Sequence, residues 1–260
     1  MLKIFRNIRK KLLSQNRFTQ YLAYAIGEIL LVVIGILIAL QINTWNQNRA
    51  NTTKEHEYLV GIKNDLETQI EQFKNSSRIY EMIIDKGEAI LVDFGKKGNL
   101  LDIDSINTKL SFMMYSIPFP SVTTTFNELN STGQFNLIKE KSLRSDIIKY
   151  YQNAEASKEA VKSNNHEVFY RHIFPFIKSS LIIQQENFFM KSEKVNYELI
   201  EAQLSSTFKN NLAIPSKEYE IVNAVTLRII EAKTNKFTIQ TDTNSAELLL
   251  HEINLQLNTN

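Results

Sequence analysis

The sequence predicts an all-α protein in which one N-terminal transmembrane helix is followed by an extracytoplasmic up-down helical bundle. Three observations carry this prediction. The run from Tyr21 to Ile42 is apolar throughout and holds a single charge, Glu28. Glycine and proline are sparse, 7 and 4 in 260 residues, which is too little punctuation for a β protein and favours long helices. Beyond residue 58, apolar residues recur three and four apart, the period of a helix face.

The first segment, residues 1–20, carries Lys3, Arg6, Arg9, Lys10, Lys11 and Arg17 with no acid, and Leu2, Phe5, Ile8 and Leu12 fall on one stripe. This pattern predicts a basic amphipathic helix in the cytoplasmic headgroup layer, where each cation contributes about 1 kcal/mol against anionic lipid. No small-x-small cleavage site follows the apolar run, so the segment is expected to act as an uncleaved signal anchor.

Residues 21–42 form the predicted span. At 1.5 Å rise per residue they make a helix of about 33 Å, against a hydrocarbon core of roughly 30 Å. The basic flank belongs in the cytoplasm, which places the N-terminus inside and the C-terminal domain outside. Trp45 suits an anchor at the outer interface. Within the span, the Ile, Leu and Val residues between Ile29 and Leu40 supply roughly −3 to −6 kcal/mol of insertion energy, against about +2.5 to +3.5 kcal/mol for one central carboxylate. Glu28 is therefore tolerated, yet a leucine there would insert better. Gly35 lies two turns beyond it on nearly the same face. Ala23 with Gly27, and Gly35 with Ala39, are small pairs at i and i+4 that let a second helix approach closely. Helix association, an incidental protonated Glu28, and proton or ion translocation are the three accounts of this face.

Residues 43–260 make the extracytoplasmic domain. Removing the six leading cations from 30 and Glu28 from 28 acids leaves everything after the span at about −3, a poor match for a phosphate backbone. Nucleic acid is not an expected partner. The expected partners are membrane lipid and, through the transmembrane helix, a second copy or another membrane protein.

From Leu59 a heptad places Leu59, Leu66, Phe73, Tyr80 and Phe94 at one position and Ile62, Ile83 and Ile90 at the other, interrupted by Gln69, Ser76 and Gly87. Such defects suit a helix packed within a bundle better than a strict parallel coiled coil. Gly95 and Gly98 close this helix, and a second is expected over Ser105 to Tyr115, before the break Ile117-Pro118-Phe119-Pro120. Thr125 and Glu128 have capping-box spacing, and Gly133 suits a left-handed stop. A long helix is expected from Ser142 through Phe169 and Ile173, kinked or ended by Pro175. A looser stretch, Lys178 to Lys194, leads to helices over Asn196 to Leu212 and Lys217 to Leu257, the last with an expected break near Thr241 to Asn244.

Two stretches carry a resemblance. AIGEILLVVIGILIALQINTWN, from Ala25 to Asn46 behind a basic FRNIRKKLLSQN, is similar to the anchor of a domain-of-unknown-function family of bacterial single-pass membrane proteins. The similarity continues more weakly through Thr123 to Ile138 and Leu143 to Tyr151. The resemblance implies an inner-membrane anchor with a helical periplasmic domain and assigns no activity.

Catalytic machinery is not expected. There is no cysteine, so no disulfide, thiol nucleophile or thiolate metal site. His56, His166, His172 and His251 never fall at metal-ligand spacing, and Gly95, Gly98 and Gly133 are too far apart for a phosphate loop. No catalytic, cofactor-binding or metal-binding residue, and no cofactor, is assigned. Phe169, Tyr170, Phe174, Phe176, Phe188 and Phe189 gather around Pro175, as core packing or as the lining of an apolar pocket. The functions left are a membrane-anchored structural or interaction protein, a ligand-sensing helical module, and an accessory subunit of a proton-driven membrane complex using Glu28.

Overall fold

A computed structural model describes residues 18–183 and 196–259, together with 7 and 10. Apart from residues 7 and 10, the basic segment of the first 17 residues lies outside the described residues, as do Phe188 and Phe189 of the aromatic group. All regular structure among the described residues is helical: α1 (Phe18–Lys97), α2 (Ile106–Leu110), α3 (Thr124–Thr132), α4 (Lys141–Asn164), α5 (Phe174–Ser180), α6 (Tyr197–Leu212) and α7 (Pro215–Thr259). Three short 3-10 turns and one π-helical stretch, Asn165–Ile173, join them. The chain divides into two compact units, residues 1–57 and 58–260.

In the first unit, α1 is apolar on every side from Ile29 to Leu40. Each large side chain from Ile29 to Ile42 is exposed, and the most apolar window has a mean hydropathy of 2.6 with none of it buried. Among the described residues this is the one helix long and apolar enough to cross a membrane.

The second unit is built on three long helices. The stripe Leu59, Ile62, Leu66, Gln69, Phe73, Ser76, Tyr80, Ile83, Gly87 and Ile90 of α1 is buried without a gap. The three residues that interrupt the heptad therefore lie inside the core. Gln69 donates through Nε2 to the Pro120 carbonyl (2.8 Å) and accepts at Oε1 from the Val122 amide (2.6 Å). It clips the connection between α2 and α3 to the helix. Gly87 makes room for Ile229 of α7, whose Cγ1 would lie 2.7 Å from an added Cβ. Lys74 pairs with Glu247, and Lys233 with Glu88, so α7 runs antiparallel to α1.

Two apolar clusters follow from this arrangement. Leu59 to Ile70 pack with Leu129, Leu143, Ile147, Tyr150 and Tyr151, and with Ala246, Leu249 and Ile253. Phe73 to Ile90 pack with Phe112, Met113, Phe169, Ile173, Phe208, Val225 and Ile229, among others.

Several local expectations change. The capping box at Thr125 and Glu128 is not formed. The N-cap is Thr123, whose hydroxyl caps no backbone amide, and the Thr125 amide donates instead to Asp65 of α1 (2.7 Å). Glu128 accepts from the Tyr58 hydroxyl at 3.2 Å. A carboxylate 60 positions away has taken the role that local spacing gave to Glu128. Gly133 does take the left-handed conformation (φ 65°) that ends α3. Ser105 to Tyr115 is a short α-helix, Ile106–Leu110, followed by a 3-10 turn, Ser111–Met114.

Pro175 does not end the helical path. The π-helical stretch precedes it, with the Phe174 amide donating to Phe169 five residues back, and the wider turn relieves the crowding a proline ring imposes on an α-helix. Nor does α7 break near Thr241 to Asn244. The hydroxyls of Thr241, Thr243 and Ser245 donate to carbonyls four residues back, so these side chains are satisfied inside a continuous helix.

Candidate functional site

Two regions hold the candidate residues. On α1, Glu28, Gly35 and Ala39 fall on one stripe, since steps of seven and eleven residues return to nearly the same angle on a helix. An added Cβ at Gly27 or at Gly35 would meet nothing within 4 Å. Among the described residues no contact accounts for either glycine, although each weakens a helix by roughly 1 kcal/mol relative to alanine. Ala23 lies in the helix, but its side chain is outside the described residues. Trp45 is 65% exposed.

The second region, in the unit of residues 58–260, escaped the sequence reading. Arg228 and Glu231 face the core from α7, each side chain 1% exposed, with Nη1 donating to Oε2 at 2.6 Å. Arg228 Nη2 also donates to the Tyr115 carbonyl, and the guanidinium lies 5.3 Å from the centre of the Phe169 ring. The Tyr80 hydroxyl donates to the Ile117 carbonyl (3.1 Å), which also accepts from Asn165 Nδ2 (2.9 Å). Asn235 links Asn164 and Asn165. Burial pushes Tyr80 up to about 12, against the opposing pull of Arg228 and Asn235. Burial also raises Glu231 above the usual carboxylate range, with Arg228 opposing. The signal for this cluster was an Arg and a Glu at i and i+3 on the apolar stripe Val225, Ile229 and Ala232; the carbonyl partner of Arg228, 113 positions away at Tyr115, leaves no local mark.

The network braces one wall of a cavity of about 420 Å³. Residues 115–122 form no helix: Ile117 is buried in the core, Ser116 and Pro118 face the cavity, and Phe119 belongs to the core while also lining the cavity. The opposite wall is a ladder from one helical face, Lys158, Lys162, His166 and Tyr170, each four residues after the last. Lys158, Lys162 and His166 each have a carboxylate neighbour, Glu155, Glu159 and Glu167, so the wall is polar but locally balanced. The aromatic group of the sequence is thereby divided. Phe169 is core, Tyr170 lines the cavity, and Phe174 is 38% exposed. Among the described residues no group of three His, Asp or Glu side chains is placed to hold a metal ion.

Residues 28–156 match the model of a family of unknown function, DUF6090. The match begins at Glu28 and ends within α4, so it takes in just under half of the chain. No curated protein and no solved structure matches the chain.

Proposed function

We propose that this chain is a single-pass, membrane-anchored interaction protein of the bacterial envelope, with its N-terminus cytoplasmic and its helical body on the opposite side of the inner membrane. It works by assembly and performs no chemistry. The observation that carries this reading is the pair of open glycines beside Glu28 on an exposed, wholly apolar helix. Small residues in a bilayer span let two backbones approach, and a carboxylate at such a crossing is best satisfied by a hydroxyl, amide or cation of the neighbour. The partner is a second copy or another membrane protein.

In-membrane crosslinking with mass spectrometry, comparing the parent with Glu28→Leu at matched expression, tests the reading. A partner lost with Glu28 is the expected result. An unchanged set of contacts would reduce the span to an anchor. A proton gradient dissipated on overexpression and restored by Glu28→Gln would instead assign the protein to a proton-driven complex.

A second reading, a ligand-sensing module, is favoured by the cavity beside the Arg228 network. Its size suits a small molecule, and its wall of Pro118, Tyr170 and two lysines suits one with an apolar body and an acidic group. Saturable protection of Lys162 from acylation by such a ligand would support it.

A further inference from the structure

One side of α7 is buried along its length, with Val225, Ala232, Ile239, Ala246 and Ile253 seven apart. The other side has a pattern of its own. Leu227, Ile230, Phe237, Leu248 and Leu255 are 42 to 73% exposed, and with Thr234, Thr241, Asn244 and His251 between them they advance by alternating steps of three and four. That is the spacing of a coiled-coil seam, sustained over about 42 Å of helix. Every member of the seam is exposed, and none is Asp, Glu, Lys or Arg. Of the charges that flank it, Lys233, Lys236 and Glu247 are engaged by Glu88, Glu81 and Lys74 of α1, and Glu252 stands exposed beside His251.

We infer that this face is where a second copy of the chain packs, α7 against α7, making a dimer through the body. Two features single out a second copy as the occupant. In a two-fold interface the residues near the axis meet their own counterparts, so a charge there would face itself; a seam without charges meets that requirement. The length is also right: five large apolar side chains, 42 to 73% exposed, with four uncharged polar ones between them along about 42 Å of helix, offer an area on the order of the 800 Å² that each partner contributes to a stable interface. This interface is independent of the anchor and goes beyond the assembly proposed for α1.

The chain has no cysteine, so one introduced thiol is the sole reporter. In membranes holding the full chain, Thr241→Cys treated with a short bis-maleimide should give a dimer, while Glu155→Cys, exposed on α4, should stay monomeric. Adding Phe237→Asp to Thr241→Cys should reduce the dimer by about tenfold or more, the loss expected for a central aromatic contact. Phe237 is 73% exposed, so this change leaves the core intact. With Gly35→Leu in place of Phe237→Asp the dimer should persist. Equal crosslinking at positions 155 and 241, or indifference to Phe237→Asp, would overturn the inference. Loss of the dimer with Gly35→Leu alone would also overturn it, by placing self-association in α1.

Discussion

The two halves of α1 use glycine in the same way and differ in where the neighbour is. At Gly61 and Gly87 an added Cβ would meet Thr125 at 2.8 Å and Ile229 at 2.7 Å, side chains of the same chain. At Gly27 and Gly35 it would meet open space, as it would at Gly95 in the last turn of α1, where the helix is ending. The surrounding pattern differs in step. Residues 59–90 bury one stripe in three and four spacing and leave the rest wet, whereas residues 29–42 are apolar all round. A stripe needs other helices, and a wholly apolar surface needs an apolar solvent. The comparison teaches that a helix can announce a missing neighbour through glycines that its own chain does not fill.

The sharpest way to break the comparison is Gly87→Leu. The new side chain must displace Ile229 with Phe112 close behind it, and overpacking should cost about 3 kcal/mol in denaturant unfolding. Next is Gln69→Leu, which keeps the size but strips the Pro120 carbonyl and Val122 amide of their partner. A loss of about 2 kcal/mol is expected, with faster proteolysis between residues 115 and 123.

Asp242 should behave in the opposite sense. It is buried, Oδ2 has no hydrogen-bond partner, and burial raises its titration above the aspartate range, with Ser157 opposing. A carboxyl whose folded pKa is raised contributes stability below the unfolded value and loses it as pH rises through the folded one. Asp242→Asn should therefore stabilise the protein by about 1 kcal/mol at pH 7, and the gain over the parent should vanish in melts at low pH. The smallest expected effect is on the other half of α1. Gly35→Ala should leave unfolding of the body within about 0.5 kcal/mol of the parent, while association through the span weakens in crosslinking. A body destabilised by Gly35→Ala would erase the distinction between the halves.

Much of this architecture is legible in periodicity, because periodicity is local. The apolar stretch, the buried stripe of α1, the stop at Gly133 and the helix after Asn196 follow from residues within a few turns of one another. The failures share one cause. Thr125 and Glu128 have the spacing of a cap, but Asp65 reaches the amide first; Pro175 is accommodated by a turn type that spacing does not announce; Thr241 to Asn244 resemble a loop until their hydroxyls find carbonyls one turn back. The candidate site divides along the same line. Gly27, Glu28 and Gly35 stand out against an apolar background, whereas Arg228 acquires meaning from the Tyr115 carbonyl, Glu231 from Arg228, and Asn235 from Asn164 and Asn165.

Besides the buried side chains of Ile117 and Phe119, the segment around Tyr115 is held at several points of its main chain. Arg228 holds the Tyr115 carbonyl, Tyr80 and Asn165 hold that of Ile117, and Gln69 holds that of Pro120. A mount that takes hold of peptide groups is indifferent to the side chains it displays. Ser116 and Pro118, which face the cavity, are thus free to drift under selection while the frame stays put, and the wall they form can be refitted to new contents one residue at a time.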